Sequence, residues 1–284
     1  MPKGWTRDVI LSAAAAALLV APAQSQPLAR TPDGRPLVLT FADEFGGPPG
    51  AYDPGPRWRT RYGDDTYRGL DGRNLENNGE LEIYVDSHLA DPRGAIGLNP
   101  FRVDGDGHLE ILAWPTPPAL LPRLDNHPYV SGVITTQPSF SQTYGYFEMR
   151  AKLPPGKGLW PAFWLLPKDQ SWPPEIDVME AVSDPTHVYS TVHSTVAPDI
   201  AAEARVTSNA FHTYAVSWDA KQVIWYVDGK RIGGGPTPGD LHKPMYMIAN
   251  LAVGGAWPGS PDTNTVFPAK MTIAFMRAYR FAGG

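Results

Sequence analysis

Three carboxylates fall within the six residues from Glu175 to Glu180 in the stretch Pro174-Glu175-Ile176-Asp177-Val178-Met179-Glu180-Ala181-Val182, whose other residues mostly favour a strand. Strand side chains alternate between faces, so Glu175 and Asp177 point one way while Ile176 and Val178 point the other. In a flat strand Glu180 falls on the face opposite Glu175. One extra residue, a β-bulge near Val178 or Met179, returns it to the side of the other two acids. Neighbouring acids raise one another's pKa, so one can stay protonated while another carries charge. That division of labour is what a general acid and an ionised partner require. Taken without its neighbours, the same pattern also fits a solvated edge strand bearing surface charge.

The segments around the acids must build a surface that holds them. Residues 37–41 are apolar and β-branched, a first strand, and 46–57 are rich in Gly and Pro, a loop. After the turn signal Asn77-Asn78-Gly79, Leu81, Ile83 and Val85 alternate with Glu82 and Tyr84. Asp104-Gly105-Asp106-Gly107 marks a hairpin, and the prolines between 115 and 122 rule out a central strand there. Residues 130–136, 144–153, 187–195, 223–230, 245–253 and 271–281 read as further strands, with Asp228-Gly229 as another hairpin turn. In 144–153, Tyr146, Glu148, Arg150 and Lys152 share one face, suited to solvent or to a polar cleft. With no amphipathic helix in evidence, the expected fold is an all-β sandwich.

The chain has 284 residues and a formal net charge of -5, with no Lys/Arg cluster, which argues against a nucleic-acid or anionic-membrane partner. Nine Trp and twelve Tyr are a heavier aromatic load than a core requires; packing in a β core explains most of them, and their amphipathic rings also suit the faces of sugars. Lys3 and Arg7 precede an apolar run over 9–20, followed by the small residues of Ala21-Pro22-Ala23-Gln24-Ser25. This is the pattern of an export signal cleaved before Gln26, so residues 1–25 are expected to be a signal peptide and 26–284 a single secreted or periplasmic domain. Cysteine is absent, and such a domain must be held by its core alone.

The sequence resembles bacterial members of glycoside hydrolase family 16, the laminarinase and lichenase group. The resemblance rests on Glu175-Ile176-Asp177-Val178-Met179-Glu180, like the family's bulged ExDxxE signature, and on four other segments. These are Gly158-Leu159-Trp160-Pro161-Ala162-Phe163-Trp164, Phe211-His212-Thr213-Tyr214, Trp225-Tyr226-Val227-Asp228-Gly229 and Asn250-Leu251-Ala252-Val253-Gly254-Gly255. It implies a concanavalin A-like β-jelly-roll sandwich whose concave sheet carries a substrate cleft. It also implies a retaining mechanism on β-1,3 or mixed β-1,3/1,4 glucan, with Glu175 as nucleophile, Glu180 as general acid/base and Asp177 assisting between them. Retention needs two carboxyl groups about 5 to 5.5 Å apart, one to attack the anomeric carbon and one to protonate the leaving oxygen.

Substrate contacts implied by the resemblance or by strand pairing are Trp160, Trp164, Glu148, Arg150, His193, Asn78 and Trp257. Glu148 and Arg150 are expected to face the glycone subsites, Trp257 and Asn78 to stand on opposite rims, and His193 to lie near the acids. A polysaccharide is the expected partner of a monomer that needs no cofactor. The same acids also serve an exopolysaccharide depolymerase or a transglycosylase, whereas a lectin-like module has no use for three adjacent carboxylates.

Many family members bind a structural Ca²⁺ on the convex side through an Asp in the last strand. Here Ala274 stands at that place in Thr272-Ile273-Ala274-Phe275-Met276-Arg277. A hard cation wants several oxygen ligands, and one carboxylate is lost. A chelator should therefore leave the melting temperature nearly unchanged. A substantial rise on adding calcium after chelation would show that other oxygens complete the site.

Overall fold

A computed structural model describes Met1 and residues 26–283. The expected signal peptide, residues 2–25 above all, lies outside the described residues. Two sheets, antiparallel except where Glu82–Tyr84 runs parallel to Tyr129–Ser131, stack face to face. The six-stranded sheet runs Ile200–Arg205, His187–His193, Glu175–Ala181, Leu159–Pro167, Met245–Val253, Val133–Thr135. The larger sheet has eleven strands and is centred on Gly145–Lys152 and Ala269–Phe281. The architecture is the all-β jelly-roll sandwich expected from the sequence.

Period-two alternation explains how the smaller sheet serves both a core and a cleft. Along Met245–Val253, Met245, Met247, Ala249, Leu251 and Val253 enter the core between the sheets. Tyr246, Ile248, Asn250 and Ala252 face the other way. On the neighbouring strand Leu159, Phe163 and Leu165 enter the core, leaving Trp160, Ala162 and Trp164 on the open side. From the opposite sheet, Phe147, Met149, Ala151, Trp218 and Trp225 complete the core.

That alternation also corrects one expectation. Gly145–Lys152 belongs to the larger sheet, paired with His212–Trp218 and Ala269–Phe281. Because Phe147, Met149 and Ala151 point into the core, Glu148 and Arg150 point to the outer face, with the sandwich between them and the cleft. Glu148 is buried there, accepting a hydrogen bond from Tyr279 Oη at 2.7 Å, with Arg277 Nη1 at 3.8 Å. The Arg150 guanidinium lies over the Phe211 ring, 5.7 Å from its centre. Neither lines the cleft that holds the acids, where both were expected.

Residues 130–136, expected to be one strand, divide between layers at Gly132. Tyr129–Ser131 pairs with Glu82–Tyr84 and with Leu109–Pro115, whereas Val133–Thr135 forms the edge of the six-stranded sheet. The crossing passes so close to the core that a Cβ on Gly132 would meet Phe101 Cε1 at 2.7 Å and Ile111 Cγ2 at 3.0 Å. Both neighbours are buried and have nowhere to go. Gly132→Ala should therefore cost about 1–3 kcal/mol, the usual penalty for overpacking a well-filled core. Urea denaturation checks this, and an unchanged midpoint would show that the crossing has room.

Candidate active site

The acid strand, Glu175–Ala181, departs from regular pairing on both sides. Against His187–His193, Asp177 pairs with Thr191 and Glu180 with Tyr189, so three steps on one strand match two on the other. Against Leu159–Pro167, Phe163 pairs with Met179 and Trp164 with Asp177, so Val178 is the extra residue. Val178 and Met179 both enter the core, one after the other, along with Ile176. Glu175, Asp177 and Glu180 are thereby left on the open face, lining a cleft of about 1330 Å³.

Each acid has its own partner. Trp160 Nε1–H donates to Glu180 Oε1 at 2.9 Å, and Trp172 Nε1–H donates to Glu175 Oε2 at 2.8 Å. His193, on the neighbouring strand, holds Nε2 3.3 Å from Asp177 Oδ2 and Nδ1 2.9 Å from Asp199 Oδ2. The Asp177 contact is close enough for charge attraction but not aligned as a hydrogen bond, and that buried oxygen has no hydrogen-bond partner. A proton shared with Glu175 would satisfy it.

Burial raises all three carboxyls, and their mutual repulsion adds to it. Glu180 is pushed up to about 7, burial outweighing the lowering effect of the Trp160 N–H. Asp177 rises to about 6 through burial and the charge of Glu180. Glu175 lies well above its ordinary value, first from burial and then from Asp177 beside it. His193 is raised as well, to about 9, but for an imidazole this favours the charged form, held by the Asp177 carboxylate 3.3 Å away. At neutral pH the arrangement therefore holds an imidazolium, a protonated fraction of Glu180, and a Glu175–Asp177 pair sharing one proton.

The sequence-predicted residues other than Glu148 and Arg150 come together here. Trp164 lies on the cleft floor with Nε1–H donating to Asn250 Oδ1 at 2.8 Å. Asn78 stands on a rim and donates to Glu80 Oε1 at 2.9 Å. Trp257 meets Trp160 edge to face, ring centres 5.7 Å apart, and Tyr189 at 5.0 Å. Trp172, Asn250 and Glu80 also line the cleft and were not singled out from the sequence. For Trp172 the signal was its place three residues before Glu175, just outside the strand pattern. Among the described residues, Asp104, Asp106 and His108 also bring three ligand atoms within 4.8 Å, but Asp104 Oδ1 already accepts two backbone N–H groups of its hairpin turn.

Comparison with known proteins agrees with this geometry. A family model described as "Glycosyl hydrolases family 16" matches residues 97–277. The endo-1,3-1,4-beta-glycanases EglC and ExsH of Rhizobium meliloti (strain 1021) are 41% and 40% identical, each over 254 residues and 86% of this chain. The alignments cover 52% of each relative, so the chain spans about half their length. The X-ray structure of the laminarinase from Rhodothermus marinus superposes with a TM-score of 0.70 at 30% identity, covering 87% of this chain and 99% of that one.

The raised Glu180 pKa sets a stability cost with a definite sign. A carboxyl whose folded pKa lies above its unfolded value contributes nothing while protonated and destabilises as pH rises from about 4.5 through about 7. Glu180→Gln keeps the acceptor for Trp160 and removes the charge. It should raise stability at pH 8 by about 1–3 kcal/mol and leave it unchanged at pH 4. Melting curves at the two pH values check this, and equal shifts at both would remove ionisation as the cause.

Proposed function

The chain belongs to the glycosyl hydrolases of family 16, and we propose that it is an exported, retaining endo-β-glycosidase that hydrolyses β-1,3 or mixed β-1,3/1,4 glucan by double displacement. The observation that carries this reading is the bulged strand that turns Glu175, Asp177 and Glu180 into one cleft. The enzymatic activities in the names of EglC and ExsH, and of the R. marinus laminarinase, support the same substrate class. The cleft exceeds the usual volume of a small-molecule pocket, as befits a polymer bound along its length. Lys3, Arg7 and the apolar run after them support export.

In the first step Glu180 gives its proton to the glycosidic oxygen while a Glu175 carboxylate oxygen attacks the anomeric carbon. The carbon–oxygen bond to the leaving sugar breaks and an ester to Glu175 forms. Glu175 must be ionised to attack, so the proton it shares with Asp177 settles on Asp177. The Trp172 N–H on Glu175 Oε2 favours negative charge on the nucleophile. In the second step Glu180, now a carboxylate, takes a proton from water, and the hydroxide oxygen displaces Glu175 from the sugar. The two glutamates supply acid, nucleophile and base, so these steps need no cofactor.

Purified protein should release new reducing ends from β-1,3-glucan or mixed-linkage β-glucan, with medium-length oligosaccharides appearing before monosaccharide. Release from bacterial exopolysaccharide alone would move the substrate class away from these glucans. Absence of release from the whole panel would overturn the reading. Trp160→Ala should weaken cleavage of polymer with little loss of melting temperature, since the ring borders the cleft. A fall equivalent to about 3–5 kcal/mol would make it a core residue instead.

A further inference from the structure

Beside the rim that carries Asn78, a second pair of carboxyls is set into the cleft wall. Leu81 N–H donates to Val253 O at 2.8 Å and Glu80 bridges Gly254, so this segment runs along the end of Met245–Val253. Glu80 and Glu82 share a side of it. Glu80 lines the cleft and is only 7% exposed, and Glu82 is fully buried behind it. Among the described residues neither has a cationic partner. Glu82 Oε2 accepts the Val253 N–H at 2.7 Å, while its Oε1 has no partner and no contact with solvent.

Two buried carboxylates without a cation cannot both stay charged, and one proton held between them would satisfy the orphaned oxygen. Burial raises both, Glu82 the more strongly because the charge of Glu80 adds to it. Glu82 is therefore the protonated member. The charge is left on Glu80, at the cleft face. Its Oε1 accepts from Asn78 Nδ2, and its Oε2 receives the Tyr84 hydroxyl at 3.4 Å. Tyr84 Oη accepts from Asn250 Nδ2 at 3.0 Å, and Asn250 Oδ1 accepts from Trp164 Nε1 at 2.8 Å. This row runs from Trp164 and Asn250 on the cleft floor through the buried Tyr84 beneath it, with each donor pointing toward Glu80. A carboxylate gathered by neutral donors keeps spare lone pairs for further hydroxyls. The wall would be more stable with an apolar or amide pair if its role were packing alone.

We propose that Glu80 is a specificity-determining residue that accepts hydrogen bonds from hydroxyls of a sugar ring away from the cleaved bond, and that Glu82 is its positioning residue. The proposal rests on the glycosidase reading above. The acid strand pairs with Leu159–Pro167, that strand with Met245–Val253, and Glu80 bridges the next position. Three strand spacings are roughly 14 Å, so the ring that Glu80 meets is not the one attacked.

The test is a length series of β-1,3-linked gluco-oligosaccharides, with kcat and KM measured for each. In the unmutated enzyme KM should drop sharply at the length whose added ring reaches Glu80. Glu80→Gln should abolish that single drop, raising KM about tenfold or more for longer chains while leaving kcat and the shorter chains unchanged, as expected for a lost charged hydrogen bond. Glu82→Gln, whose amide can replace the shared proton and still accept from Val253, should keep the normal profile, and Glu82→Met should reproduce the Glu80→Gln loss. Should Glu80→Gln not fold, Glu80→Asp, which withdraws the carboxylate by one methylene, should show the same length-specific loss. An unaltered profile in Glu80→Gln, or a loss spread equally over every length, would overturn the assignment. Failure of the unmutated enzyme to cleave any of the series would instead count against the function from which the proposal starts.

Discussion

A strand that alternates strictly cannot show Glu175 and Glu180 to the same side, and here the core leaves no freedom to rotate it. Ile176 is packed between the sheets and fixes the strand near Glu175; Ala181 fixes it beyond Glu180. Inserting Val178 resolves the conflict by sending two successive residues, Val178 and Met179, into the core. The bulge is seen from both neighbouring strands, each of which faces one residue too many on the acid strand. Those neighbours then supply Trp160 to Glu180 and His193 to Asp177. The geometry of the site thus follows from one extra residue and from the packing that anchors the strand on either side of it.

Burial gives that geometry its chemistry. Three carboxyls withdrawn from water cannot all ionise, so protons are retained where a glycosidase would use them: on Glu180, and between Glu175 and Asp177. Indole N–H groups and an imidazolium limit the shift rather than abolish it. The cost appears as lost stability above the ordinary carboxylate range, a form of strain that function requires and the large core absorbs.

Much of this was legible in the sequence because it depends on local pattern. The bulge was readable from the parity of Glu175 and Glu180, and Met245–Val253 from its composition. Asp228 and Gly229 both adopt positive φ, as the turn signal required. What alternation does not reveal is which sheet a strand joins. Glu148 and Arg150 share a polar face in sequence as they do in space, yet their strand lies in the outer sheet, and a polar outer face has the same signature as a polar cleft. The split at Gly132 was hidden for a related reason: both halves of 130–136 are β-formers, and only the nearness of Phe101 and Ile111 shows why the residue between them has no side chain. Trp172 and Glu80 were missed because they sit at segment ends, where periodicity carries least information.

The central claim is that Glu175 and Glu180 divide the work of a two-step displacement, and product stereochemistry tests it most directly. With a β-linked substrate bearing an activated aryl leaving group, Glu180→Ala can still form the ester to Glu175, and azide, which needs no base, can then attack it. Two inversions give a β-glycosyl azide. Glu175→Ala has no nucleophile and leaves room for azide to attack the substrate itself, giving the α-glycosyl azide by one inversion. NMR of the products reads the configuration whatever the rates. The β product from Glu180→Ala together with the α product from Glu175→Ala is the predicted result; the reverse pairing would exchange the two roles, and inversion by the unmutated enzyme would contradict double displacement altogether.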